Sequence, residues 1–244
     1  MNNNEKIPRQ ARDDIKLPKP RAVIFDWDNT LVNTWPVIHD ALNKTFAEHN
    51  LPLWEFEQTK ARVRKSMRDS FPEIFGENWQ VAGAAYQAHY RASHLNKLEA
   101  LPQAREVLDR VRELGLYSVV VSNKKGDNLR KEASHIGWTD LFDNITGADD
   151  AARDKPFADP VLLALKGSGF APAPDVWFIG DSEIDLECAK NTGCTAILYG
   201  DDASAHPDYS ATHYQGFPYH AHVVTHREML ELLGKRDWAL GIRH

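Results

Sequence analysis

At 244 residues the chain can bury a sizeable core, either as one large domain or as a domain carrying an insertion. Its net charge of -6 gives no electrostatic ground for nucleic acid or an anionic membrane as the main partner, so any anionic substrate must be drawn in by local cations. Two cysteines and the lack of an apolar run of membrane-spanning length argue against a disulfide framework and a transmembrane anchor, and the reading is a cytoplasmic protein.

Residues 1–20, MNNNEKIPRQARDDIKLPKP, are polar and punctuated by Pro8, Pro18 and Pro20. They read as a loosely held tail without the apolar stretch of a signal peptide. AVIF, 22–25, is a short continuous apolar run, the mark of a strand buried on both faces. From 35 to 97 the pattern is helical and no buried strand is visible, so this segment is expected to be a helical cap inserted after the first strand. Beyond it, the strand pattern returns at YSVVVS (117–122), DNITGA (143–148), VWFIG (176–180), TAILYG (195–200) and HVVT (222–225). Helical patterns lie between them at 105–114, 128–137, 160–169 and 184–193. Alternating strand and helix predicts an α/β fold with a Rossmann-like parallel sheet, its core at 21–34 and 98–234, and a C-terminal tail at 235–244.

In open α/β sheets the ligand crevice lies outside the carboxyl ends of the strands. The first strand runs into DWDNT, placing Asp26 and Asp28 one residue apart. Two carboxylates at about 4 Å repel by about 4 kcal/mol at an effective dielectric near 20, so the pair needs a positive partner. The second strand delivers Ser122 and Asn123, the run RDKPFADP supplies Lys155, and GDSEID supplies Asp181 and Asp185 at the start of a helix near Ser182. Hard oxygen donors suit Mg²⁺, while a lysine with a serine suits a phosphoryl group. One of the first two aspartates can attack phosphorus and the other can serve as general acid and base. Backbone N–H groups of Trp27, Asp28 and Asn29 would help hold phosphate oxygens, and Thr30, Ser122 and Asn123 are expected in the same phosphate-binding set.

DWDNT at 26–30, Ser122 with Asn123, Lys155 before Pro156, and GDSEID at 180–185 together resemble the four motifs of the haloacid dehalogenase-like hydrolase superfamily. The resemblance covers about 21–233 and implies Asp26 as nucleophile and Mg²⁺ ligand, and Asp28 as acid/base with its main-chain carbonyl on the metal. It further implies Ser122 and Lys155 as phosphoryl-binding groups, Asp181 as a metal ligand and Asp185 as a holder of the ligand shell. An acid at position 28 resembles the phosphatase and phosphomutase branches rather than the dehalogenases. The inserted helices look like the C1 cap of phosphoglycolate phosphatase relatives and of β-phosphoglucomutase. Asn29 stands where many relatives have glycine, and asparagine tolerates the unusual backbone angles of such a turn.

The expectation is therefore a Mg²⁺-dependent phosphatase acting on a small phosphorylated metabolite, phosphoglycolate-like or a sugar phosphate. A phosphomutase and a non-catalytic binding protein are the alternatives. Arg62, Arg64, Lys65 and Arg68 in the cap are candidates for recognising a substrate carboxylate or second phosphate, with Lys65 and Arg68 the stronger pair. His206, His213, His220, His222 and His226 match no zinc spacing and read as surface residues. Trp54 and Trp79 read as packing residues, and Trp27 as a position where the backbone matters more than the ring.

Overall fold

The computed structural model describes residues 17–63, 66–201, 208–210 and 212–234. Strand β1 (Ala22–Phe25) leads through the two-residue β2 (Val32–Asn33) into helices α1 (Trp35–Glu48), α2 (Phe56–Arg62), α3 (Met67–Phe75) and α4 (Trp79–Lys97). The chain returns through β3 (Glu99–Ala100), then runs α5 (Ala104–Glu113), β4 (Tyr117–Lys125), α6 (Gly126–His135), β5 (Asn144–Ala148), α7 (Asp159–Ala164), β6 (Val176–Gly180), α8 (Glu183–Thr192) and β7 (Thr195–Tyr199). A small hairpin, β8 (His213–Tyr214) with β9 (Phe217–Pro218), precedes β10 (Ala221–Val223) and α9 (His226–Leu233). Among the described residues no helix is long and apolar enough to cross a membrane.

The sheet has six strands in the order β10-β7-β6-β1-β4-β5, and every pairing in it is parallel. The chain winds outward from β1 through β4 to β5, then crosses back to β6 on the other side of β1. That reversal opens a crevice at the carboxyl end of β1. β1 is wholly apolar because both its faces are covered. Val23 and Phe25 join one core cluster with Val107, Leu108 and Trp177, whereas Ala22 and Ile24 join another with Val161, Ala164 and Phe178.

The helices of 35–97 bury a third apolar cluster of their own, centred on Val37, Ile38, Leu42, Phe46, Phe71 and Phe75. In α1 the buried positions 37, 38, 41, 42, 45 and 46 recur at helical spacing, and a proline in the first turn suits a helix start. The chain leaves and re-enters the sheet layer through one antiparallel ribbon, β2 with β3, extended by a bond from the Leu101 N–H to the Leu31 carbonyl at 2.9 Å.

Two expectations change. The described chain already packs at Leu17, which is buried in the core cluster, and the Trp177 indole donates to the Pro18 carbonyl at 3.0 Å. Packing therefore begins ahead of the expected boundary at residue 20. The histidine-rich stretch is not uniformly a surface: His213 and His220 are exposed, but His222 and His226 are buried. His222 Nε2 lies 2.7 Å from the Gly200 carbonyl, and His226 Nδ1 lies 3.0 Å from both the Tyr199 hydroxyl and the Pro102 carbonyl. Each ring bonds a strand end or loop carbonyl at the sheet edge, which keeps a buried imidazole satisfied. His206 lies outside the described residues, as do 1–16 and the expected tail at 235–244.

Candidate active site

Strand β1 stays in register with its neighbour to its last turn: the Asp26 N–H donates to the Ile179 carbonyl at 2.8 Å, which fixes Asp26 at the crevice. The chain then doubles back. Asn29 takes the left-handed conformation (φ 59°), its N–H donates to the Val32 carbonyl at 2.7 Å, and its side-chain Oδ1 accepts from the Thr34 N–H at 3.2 Å. Asparagine thus builds the turn, and its amide is already engaged rather than held open for a phosphate oxygen. Thr30 is fully buried and donates to Asp181 Oδ1 at 3.4 Å, so it braces a carboxylate.

At the other strand ends, Ser122 is buried and its Oγ accepts from the Lys124 N–H at 3.2 Å. Asn123 grips Lys155 from both sides of its peptide unit: Oδ1 accepts from the Lys155 N–H at 2.9 Å, and Nδ2 donates to the Lys155 carbonyl at 3.1 Å. Helix α8 begins where the sequence places it. Ser182 is its N-cap in a reciprocal capping box with Asp185, whose Oδ2 accepts from the Ser182 N–H at 3.2 Å and hydroxyl at 2.7 Å. Only glycine fits at 180, because a Cβ there would stand 2.3 Å from Asp185 Cγ.

Lys155 joins these parts. Its buried ammonium donates to Asp26 Oδ1 at 2.7 Å and to Asp185 Oδ1 at 2.7 Å. Burial alone would lower its pKa, but attraction to Asp185 and Asp26 outweighs this and carries it above the ordinary lysine value. Burial pushes the Asp26 carboxyl up to about 7, with Asp185 and Asp28 adding to the rise and Lys155 opposing it. One carboxylate oxygen from each of Asp26, Asp181 and Asp185 can be chosen so that all three lie within 4.8 Å of one another. Three carboxylates, one of them the Asp26 group whose ionisation is suppressed by burial and neighbouring carboxylates, fit a small divalent cation such as Mg²⁺, which would offset that repulsion.

Behind Asp28 lies a second charged group that the sequence reading missed. Lys124 Nζ is 2.6 Å from Asp28 Oδ1 and also pairs with Glu132 Oε2. Glu132, on α6, has no exposed surface and collects three further donors: the Trp27 indole at 2.7 Å, the Tyr90 hydroxyl at 2.8 Å and His94 Nδ1 at 2.7 Å. Burial would raise its carboxyl, yet the Lys124 charge and the bonds from His94, Lys124 and Tyr90 bring it down to about 2. The Trp27 ring is therefore structural in its own right, where the expectation gave its backbone more weight than its ring. Two signals were available: Lys124 directly follows Ser122 and Asn123, and Glu132 falls on the apolar face of α6 with Leu129 and Ala133.

Of the candidate cations in 62–68, Arg62 and Arg68 line the cavity: Arg62 lies over the Trp54 ring at 4.9 Å, and Arg68 Nε donates to Asp154 Oδ2 at 2.7 Å, so its charge is committed to the residue beside Lys155. Lys65 and Arg64 lie outside the described residues. Asp26, Asp28, Asn29, Ser122, Asn123, Lys155 and Asp181 all border one cavity of about 180 Å³ between the strand ends and the helices of 35–97, which Trp54 also borders; Trp27, Thr30 and Asp185 stand behind it.

A family description of haloacid dehalogenase-like hydrolases matches residues 23–199. A phosphoglycolate phosphatase of Chromobacterium violaceum is 29% identical over 195 residues, covering 76% of this chain and 87% of that protein. The pyrophosphatase PpaX of Halalkalibacterium halodurans is 26% identical, covering 73% and 83%. A haloacid dehalogenase-like family hydrolase of Streptococcus pneumoniae shares the fold with a TM-score of 0.71 at 21% identity, over 87% of this chain and 98% of that one. With the four motifs gathered at the carboxyl edge of a parallel sheet and the match spanning most of its length, the chain belongs to the haloacid dehalogenase-like hydrolase family.

Proposed function

We propose that the protein is a Mg²⁺-dependent phosphatase of small phosphorylated metabolites, working through an aspartyl-phosphate intermediate. The observation that carries this reading is the Lys155 ammonium bridging Asp26 and Asp185 at the crevice, with Asp28 on the same cavity. A carboxylate at a strand end, a lysine fixed beside it and a second acid two residues on are what nucleophilic displacement at phosphorus requires.

An Asp26 oxygen attacks phosphorus, the bond from phosphorus to the ester oxygen breaks, and Asp28 delivers a proton to the departing oxygen. Asp28 then takes a proton from water as the water oxygen attacks the aspartyl phosphate; the bond between phosphorus and the Asp26 oxygen breaks, and inorganic phosphate leaves. Lys155 and Ser122 hold the phosphoryl oxygens, Asn123 holds Lys155, and Lys124 orients Asp28. Asp26, Asp181 and the Asp28 carbonyl would hold Mg²⁺, Asp185 supporting them, and the ion supplies charge neutralisation at the transferring phosphoryl group. The helices of 35–97 serve as the cap that excludes bulk water.

Release of inorganic phosphate from a panel of phosphomonoesters and diphosphate, with Mg²⁺ and with a chelator, tests this reading alongside Asp26→Asn. The expected result is metal-dependent release that the substitution abolishes in folded protein. Release unaffected by the chelator or by Asp26→Asn overturns it, and isomerised sugar phosphate without net release indicates a mutase.

A further inference from the structure

The roof of the cavity, contributed by the helices of 35–97, includes one face of α4 on which Tyr86, Gln87, Tyr90 and His94 recur at spacings of three and four residues. All but the first of these are spent on α6. Gln87 Oε1 accepts from Asn128 Nδ2 at 2.8 Å, the Tyr90 hydroxyl donates to Glu132 Oε1 at 2.8 Å, and His94 Nδ1 lies 2.7 Å from the same oxygen. These bonds fix the rotation of α4 about its axis and so hold Tyr86, one turn before Tyr90, where it borders the cavity. Its ring packs edge-on against Phe71, with centroids 5.4 Å apart, and tilted against Tyr90 at 5.9 Å.

The Tyr86 hydroxyl, by contrast, is unspent. Among the described residues it makes no hydrogen bond, and it is not sealed off from solvent. The Trp35 and Trp54 side chains also border the cavity without a hydrogen bond among the described residues, but Tyr86 is set apart by its neighbours. Asp28 Oδ1 lies 2.6 Å from Lys124 Nζ, that ammonium lies 5.3 Å from the centre of the Tyr90 ring, and the Tyr86 ring follows. Burial raises the phenol above the ordinary tyrosine range, and the negative charges of Asp28 and Glu132 add to the rise, so it stays a neutral donor beside the acid/base. A ligand oxygen that replaces water on such a donor keeps its hydrogen bond, whereas a methyl group in that place leaves the donor unpaired.

We propose that Tyr86 determines specificity: its hydroxyl donates a hydrogen bond to an oxygen on the alcohol half of the substrate, a hydroxyl or carboxylate within two carbons of the ester oxygen that Asp28 protonates. This rests on the phosphatase reading above. It gives an uncharged donor a part in the recognition that the sequence assigned to cap cations.

The test uses three esters with one two-carbon skeleton, ethyl phosphate, 2-hydroxyethyl phosphate and phosphoglycolate, with Mg²⁺, on the unmutated enzyme, Tyr86→Phe and Tyr90→Phe. Tyr86→Phe removes only the hydroxyl, and it is expected to lower kcat/KM at least about fivefold for an oxygen-bearing ester that the unmutated enzyme prefers, and less than about twofold for ethyl phosphate. Tyr90→Phe, which loses its bond to Glu132, is expected to lower all three by a similar factor. A second arm, independent of turnover, measures binding of propylphosphonate, 3-hydroxypropylphosphonate and 3-phosphonopropionate by calorimetry; at least one of the latter two is expected to bind about fivefold tighter than the first, and Tyr86→Phe to erase the difference. Equal losses on all three esters in Tyr86→Phe mark a structural side chain and overturn the inference, as does an unmutated enzyme that prefers neither oxygen-bearing ester; both leave the phosphatase reading intact. Where the unmutated protein releases phosphate from none of the esters, the phosphatase reading fails, and equal binding of the three phosphonates overturns the assignment of Tyr86 with it.

Discussion

Glu132→Gln is the sharpest probe of how the charged groups behind the site are held. The substitution keeps the shape of a side chain with no exposed surface, removes its charge, and leaves the donors of Trp27, Tyr90, His94 and Lys124 facing a neutral amide. The Glu132 carboxyl falls from 4.5 to about 2 on folding, and a depressed carboxylate contributes stability that is present above its unfolded value and lost as pH falls through its folded one. At 1.36 kcal/mol per unit, a lowering of that size is worth on the order of 3 kcal/mol at pH 7 and shrinks to about 1 kcal/mol by pH 3. The range of roughly 3–5 kcal/mol for breaking a buried ion pair agrees with the neutral-pH figure. Urea unfolding of the wild type and Glu132→Gln at pH 7, 5, 4 and 3 measures the difference directly. Adding Lys124→Met should recover part of the loss, since the double variant no longer buries an ammonium that has lost one of its two carboxylates and keeps only Asp28. A difference under about 0.5 kcal/mol at pH 7, or one that stays constant down to pH 3, would refute the reasoning.

Three further outcomes follow from the geometry. The Asp26 carboxyl is raised by burial, so its charge costs stability as pH rises from its unfolded value of 3.8 through about 7; Asp26→Asn should melt higher than wild type at pH 8 in metal-free buffer while losing phosphate release. Gly180→Ala, whose Cβ would meet Asp185 at 2.3 Å, should displace the partner of Lys155 and lower kcat by roughly tenfold or more with the far-ultraviolet spectrum unchanged. Burial holds His226 down at about 4 against 6.5 when unfolded, so stability should fall by about 1.4 kcal/mol per pH unit as pH drops from 6.5 toward 4. His226→Gln should flatten that limb in acid unfolding curves.

The sheet was readable because a strand buried on both faces leaves a continuous apolar run, and the runs at 22–25 and 176–180 match β1 and β6 residue for residue. The motif residues were readable because they sit where such runs end. The Lys124–Glu132 group left only two local signals, and its membership was not readable, since it is assembled by long-range contacts: Tyr90 and His94 come from α4, Trp27 from the turn after β1 and Glu132 from α6. Residue type alone could not tell that Arg68 meets Asp154, because an arginine facing a substrate and one facing a protein carboxylate look the same in a sequence. Two-residue strands such as β2 and β3 carry no periodicity to detect. His226 was misjudged since a buried histidine satisfied by a carbonyl has no local signature.

The ribbon of β2 and β3 has an engineering consequence. Because Asn33 pairs with Glu99, both connections to the four helices of 35–97 pass through one pair of neighbouring backbones, and the sheet layer could be closed by a turn of a few residues in their place. The helices are in that sense a detachable cassette, open to exchange for one with a different roof. The exchange has two electrostatic conditions, set by Glu132, which takes donors from Tyr90 and His94, and by Asp154, which takes Arg68. A transplanted cassette must bring donors to both carboxylates, or the recipient must carry neutral residues at 132 and 154.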